Sequence, residues 1–303
     1  MMTTARTLIP ESELMRSNKA GAARHHQRRE DCTMLLLLLP ALAVVVLLLV
    51  VPLAWLSWQS IRQDGGFTLA FYRRILSGPY LDTFALTFRM SAIVTAITLL
   101  LAYPVAYLAA SVKPRYAALI LGTVVLPFWT SVLVRTYAWL VLLQRTGVVN
   151  KLLLASGLID RPMQLAYNEL GVIISMIHIL LPFMVLPLYS AMQKIPRDLS
   201  QAAASLGASP LHNFVRVFLP LSMAGVVAGV TLVFVLCLGF YITPELMGGG
   251  RSIMVSMIVS RNVEIYNSWG AASSVSVVLL ACVFTIFWIA SRVIPLDKTL
   301  GAK

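Results

Sequence analysis

The 303 residues are 59% hydrophobic and only 12% charged, with a mean hydropathy of +0.83, a composition that excludes an ordinary water-soluble domain. Apolar runs repeatedly reach the roughly 20 residues that a helix needs to cross about 30 Å of hydrocarbon; they are apolar on every face, which excludes a transmembrane barrel of alternating strands. The net charge of +12 comes without a basic run interleaved with aromatics, so it reads as a topology signal and not as a surface for nucleic acid.

Residues 1–33 are polar, of mixed charge and without helical period, and read as a tail ahead of the membrane. His25 and His26 lie there with only His178 and His212 elsewhere, too few ligands for a metal site. Residues 34–58 form the first span. The run is longer than a signal-peptide core and ends in PLAWLSW without a small-residue cleavage site, so it is an uncleaved anchor. Further spans are expected at 84–110, 116–143, 170–191, 220–242 and 270–293, with a short tail at 294–303. The predicted fold is therefore all-α, a polytopic membrane protein of six transmembrane helices. Cys32, Cys237 and Cys282 have no metal-ligand spacing.

Six spans put both termini on one side. With the tail in the cytoplasm, that side carries fourteen lysines and arginines, Arg24, Arg28 and Arg29 among them, against eight outside; the positive-inside rule favours this orientation. The 192–219 loop is then cytoplasmic. Within it Asp198 is placed to cap a helix with Gln201 three residues on, and Ala202, Ala203 and Ala204 give that helix a thin face. Gly207 supplies a left-handed terminator, and Ser209 followed by Pro210 opens a second helix that merges with the next span at Pro220. A helix built to lie on lipid would carry large apolar and basic residues instead. The shape suits a partner's groove.

The string QAAASLGASPLHNFVRVFLP, residues 201–220, resembles the EAA loop of ATP-binding-cassette (ABC) importer permeases. Residues 84–293 as a whole resemble the permease domain of that family. LPFWTS (126–131), VRTY (134–137), LQRTGVVN (143–150), LPFMVLPLY (181–189) and PELMGG (244–249) are similar to the first permease of spermidine/putrescine-type importers. The resemblance implies that Gln201, Ala202, Ala203 and Gly207 lie on a coupling helix that docks on a separate ATPase. It also implies a dimeric ATPase subunit holding ATP and Mg, a second permease chain, an extracytoplasmic solute-binding protein, and residence in the bacterial inner membrane. Gln201 departs from the family's usual glutamate, which removes a charge at that point. The chain has no G-x-x-x-x-G-K-[ST] phosphate loop, so no ATPase chemistry and no catalytic residue are expected in it.

Ionisable residues inside spans face a cavity or a partner. Arg135, with Trp129 and Tyr137 near it, reads either as a side chain snorkelling at an aromatic belt or as part of the solute pathway. Glu245 follows Pro244, which is expected to end or kink the fifth helix, and with Tyr241 one turn earlier it is the favoured contact for a cationic solute; the alternative is a helix end in water. His178 is expected to bond a neighbouring helix, and Gly225 with Gly229 to allow close helix packing. A polyamine such as putrescine or spermidine is implied by the resemblance alone, and an anionic or zwitterionic solute met by Arg135, Arg251 or Arg261 is the alternative. A secondary carrier would show interrupted internal repeats, and an intramembrane enzyme would show H-E-x-x-H or G-x-S-x-G; neither pattern is present.

Overall fold

The computed structural model describes residues 38–63, 66–250 and 252–293. These fall into two units, one up to Trp58 and one from Gln59 onward. The tails, with His25, His26 and Cys32, lie outside the described residues, as does Arg251.

Among the described residues the first unit is one helix, α1 (Leu38–Gln59), which ends at the boundary between the units. Sixteen of its 22 residues are Leu, Val or Ala, and none of its apolar window is buried within the chain.

The second unit opens with a two-stranded antiparallel hairpin, β1 (Arg62–Gln63) and β2 (Gly66–Phe67), and the short helix α2 (Ala70–Ile75). Then come α3 (Gly78–Ser111), α4 (Pro114–Val125), a 3-10 turn (Leu126–Trp129), α5 (Val132–Leu143), α6 (Val148–Ala155) and α7 (Glu169–Gln193). The chain continues through α8 (Arg197–Ser205), α9 (Pro210–Asn213), a π turn (Phe214–Phe218), α10 (Leu219–Leu238), α11 (Ile242–Met247), α12 (Val255–Glu264) and α13 (Trp269–Val293). Among the described residues six helical stretches are long and apolar enough to cross a membrane. The protein is an all-α polytopic membrane protein.

Helices α3, α7 and α10 pack on one another and form the core. On α7 the buried side chains Val172, Met176, Leu180, Met184 and Leu188 recur every fourth position, and they meet Met90 and Val94 of α3 and Val233 and Cys237 of α10. Lipid offers no hydrophobic drive between helices, so close contact must come from small residues. Gly225 and Gly229 supply it: a β-carbon at Gly225 would stand 2.6 Å from Ala191 Cβ, and one at Gly229 would stand 2.8 Å from Met184 Sδ. The glycine pair therefore packs α10 closely against α7, as its spacing predicts.

Two spans differ from expectation. The third was expected unbroken over 116–143, but the chain leaves helix at Leu126–Ser131, where Pro127 has no N–H to continue the ladder and Thr130 is extended. The long apolar stretch counted there is Val132–Ala155, preceded by the shorter Pro114–Trp129. The fifth was expected over 220–242, but helix runs without a break from Pro210 to Leu238. Pro220 is accommodated inside it by the π turn, whose register lets the Leu219 N–H reach the Phe214 carbonyl. Gly239 ends this helix, so Pro244 neither ends nor kinks it and lies instead in the first turn of α11.

Candidate functional site: a loop helix at one end and a charged mouth at the other

Helix α8 begins after Pro196, with no side-chain cap. Asp198 is not the cap but lies in the first turn, where its charge complements the helix dipole. The far end follows expectation closely. Gly207 has φ +82°, its N–H bonds to the Ala204 carbonyl at 3.0 Å and that of Ala208 to the Ala203 carbonyl at 3.0 Å, a complete Schellman turn. The Ser209 hydroxyl then accepts from the His212 N–H at 3.3 Å and caps α9 behind Pro210. Gln201, Ala202 and Ala204 are exposed, Ala203 is half-buried, and Leu206 at the turn is 89% exposed.

This loop is fastened to the core by aromatic edges. Tyr107 meets Phe218 edge-on at 4.8 Å and Phe214 at 5.6 Å, and Tyr103 meets Phe214 at 6.0 Å. The Tyr103 hydroxyl shares a hydrogen bond with Ser222 at 2.9 Å. The segment after α9 is thereby packed against α3. A cavity of 430 Å³ separates α8 from the ends of α3 and α7, with Gln201, Tyr107, Tyr189 and Gln193 on its walls.

At the opposite end of α3 and α7, α11 is seated on α7. The Ser175 hydroxyl meets Met247 Sδ at 2.9 Å, and Thr136 of α5 bonds Thr243 at 2.9 Å. Gly249, at φ +59°, passes so close to Tyr167 that a β-carbon would stand 2.5 Å from its carbonyl oxygen, which accounts for the paired glycines of PELMGG. Asn150 is fully buried and clamps the outer loop, donating to the Gln144 carbonyl at 3.1 Å and the Met163 carbonyl at 3.0 Å and accepting from the Met163 N–H at 2.8 Å. The LQRTGVVN string therefore contains a turn-holding clamp.

Glu245 is exposed, and its carboxylate faces Arg261 of α12, Oε1 to Nη2, at 3.9 Å. Tyr241 stands one turn before it, with its hydroxyl accepting from Ser260 at 3.3 Å. The structure thus brings Glu245 to Arg261 and Tyr241 to α12. Arg135 is elsewhere, on α5: it is 8% exposed, and Nε and Nη1 are buried with no hydrogen-bond partner among the described residues. Trp129, 86% exposed, and Tyr137, 52% exposed, turn away from the core. His178 accepts from Trp139 Nε1 at 3.2 Å, the expected bond to a neighbouring helix.

The model of the family described as binding-protein-dependent transport system inner membrane component matches residues 30–295. The chain belongs to this family. It is similar to the spermidine/putrescine transport system permease protein PotB of Escherichia coli strain K12, 35% identical over 231 residues that cover 75% of this chain and 84% of that one. The PotB of Haemophilus influenzae is 36% identical over 230 residues, 75% of this permease and 80% of its relative. In fold the permease matches a chain of a bacterial alginate ABC transporter crystallised with a periplasmic protein bound to alginate pentasaccharide, with a TM-score of 0.70 at 18% identity over 88% of this chain and 95% of that one. This protein is accordingly the permease subunit of an ABC importer, a multi-pass inner-membrane protein that forms the translocation pathway and is not itself an enzyme.

Proposed function

We propose that the permease imports a small organic cation of the polyamine class, with putrescine and spermidine as the leading solutes. The observation that carries this reading is the 35–36% identity to spermidine/putrescine permeases across three quarters of the chain. The termini and α8 face the cytoplasm, in keeping with the distribution of basic residues. There α8, with Gln201, Ala202, Ala203 and the Gly207 turn, docks on a dimeric ATPase that holds ATP and Mg. A second, different permease chain completes the cavity, and a periplasmic binding protein delivers solute at the α12 end. Closure of the ATPase moves α8, and the Tyr103–Tyr107–Phe214–Phe218 edges pass that motion into α3. Glu245, with Tyr241 behind it, receives the cation at the mouth.

Uptake of labelled putrescine by the reconstituted transporter tests the reading, with competition by spermidine, a neutral sugar and a dicarboxylate. Competition by spermidine alone supports it. Glu245→Gln should lower diamine uptake several-fold through loss of a charge-assisted contact. An anionic solute is the second reading, favoured by the buried Nε and Nη1 of Arg135, which have no hydrogen-bond partner among the described residues; competition by the dicarboxylate instead would establish it.

A further inference from the structure

At the α12 end lies a second cavity, of 440 Å³, with Arg74, Tyr80, Thr83, Arg261, Asn262 and Tyr266 on its walls. It stands against the first turns of α3, whereas the cavity beside α8 stands against the last; at 1.5 Å per residue the two are about 40 Å apart along that helix. None of the described residues that line it is acidic. Two guanidinium groups therefore share one opening with no carboxylate in the wall. Arg74 lies over the Tyr80 ring at 5.9 Å, which holds its head without neutralising it.

Arg261 is the shared element. On one side it lines the cavity, and on the other its Nη2 is 3.9 Å from Glu245 Oε1, with the two side chains 35% and 37% exposed. A well-made guanidinium–carboxylate bond is about 2.7–2.9 Å and often bidentate. The Arg261–Glu245 pair is looser than that, so most of the Arg261 fork is left for another acceptor.

We propose that this cavity is a socket for a carboxylate side chain of the solute-binding protein, and that the docked carboxylate and Glu245 compete for Arg261. Docking draws the guanidinium into the socket and leaves Glu245 free for the arriving cation. The inference rests on the roles given above to the binding protein and to Glu245. A wall with two guanidinium groups and no acidic residue, opposed only loosely by Glu245 on its far side, attracts an acidic partner and repels a free polycation, so the solute is accepted only where Glu245 has been uncovered. Binding linkage is reciprocal: the factor by which docking weakens the hold of Glu245 on Arg261 is the factor by which that hold weakens docking.

The test is a titration of labelled binding protein onto the complete transporter in nanodiscs, with no transport step in the readout. Arg74→Gln and Arg261→Gln are each expected to weaken docking about tenfold or more, the scale of a lost charge-assisted contact at an interface. Arg261→Lys keeps the charge and should retain most of the docking, which separates this loss from misfolding. Glu245→Gln should tighten docking about two- to five-fold, and only while Arg261 is present. Docking unchanged by both glutamine variants overturns the socket. If those variants instead abolish stabilisation by anionic lipid, the cavity holds a phospholipid headgroup and the proposal is likewise overturned. A Glu245→Gln variant with unaltered docking, or one that tightens docking in the Arg261→Gln background as well, overturns the competition. Unchanged putrescine uptake by Glu245→Gln would remove the solute role of Glu245 and leave the docking results to stand or fall by themselves.

Discussion

At the α8 end the chain's path is set by its own backbone: a left-handed glycine, two Schellman hydrogen bonds, a serine cap and a proline at the first helical position. At the α12 end the path is set by side chains meeting across the sequence, Glu245 with Arg261, Tyr241 with Ser260, Thr136 with Thr243. The first kind of order is stiff and local, suited to receiving a push. The second is made of contacts that can exchange partners, suited to receiving a ligand. A transporter has need of both, and here they are segregated to the two ends of the same helices.

The sharpest way to break the comparison is at Gly207. A β-carbon there would meet nothing within 4 Å, so any loss comes from the backbone or from the docking face and not from an internal collision. Gly207→Val, which disfavours the left-handed region, should cut ATP-driven uptake by more than about tenfold with the subunit still inserted, whereas Gly207→Asn should keep most of it. Next is Gly225→Leu, whose side chain has to displace Ala191 and the Pro187 carbonyl; overpacking of this kind costs about 1–3 kcal/mol, and a lower melting temperature of the purified complex is the readout. Asn150→Ala leaves the Met163 N–H unpaired and takes one of two donors from each of the Gln144 and Met163 carbonyls, which keep the Gly147 and Leu165 N–H groups, with an expected cost of about 1–3 kcal/mol and faster proteolysis of the 144–163 loop. The smallest effect belongs to Arg89→Gln. Its pair with Glu169 is short, at 2.5 Å, but 57% and 43% exposed, and such pairs are worth about 0–1 kcal/mol. A large loss of stability there would blur the distinction between backbone-set and charge-set regions.

The contrast also explains what could be read in advance. The α8 turn was legible because Gly207, Ser209 and Pro210 each act within a few residues of themselves, so spacing alone carries the geometry. Gly225 and Gly229 were legible for the same reason, their four-residue interval being one face of a helix. The break at Leu126–Ser131 was not, since Pro127 inside an apolar run fits a kinked helix as well as an interrupted one. Asp198 misled because a capping residue and a first-turn acid look alike in sequence. Arg261 opposite Glu245 was out of reach: sixteen residues and a change of helix separate them, and no periodicity links the two. That Nε and Nη1 of Arg135 are buried without a partner among the described residues is likewise a property of the packed fold.

Two prolines have a mechanical consequence. Pro104 lies seven residues before the end of α3, and Pro187 six before the end of α7. Each deletes one rung of its helix's hydrogen-bond ladder, and both gaps fall about two turns from the α8 loop. Pro182 deletes a further rung of α7, so resistance to bending is reduced at nearly the same level in these two neighbouring helices. A bend imposed on either helix near the α8 loop therefore costs less than one imposed where the ladder is unbroken.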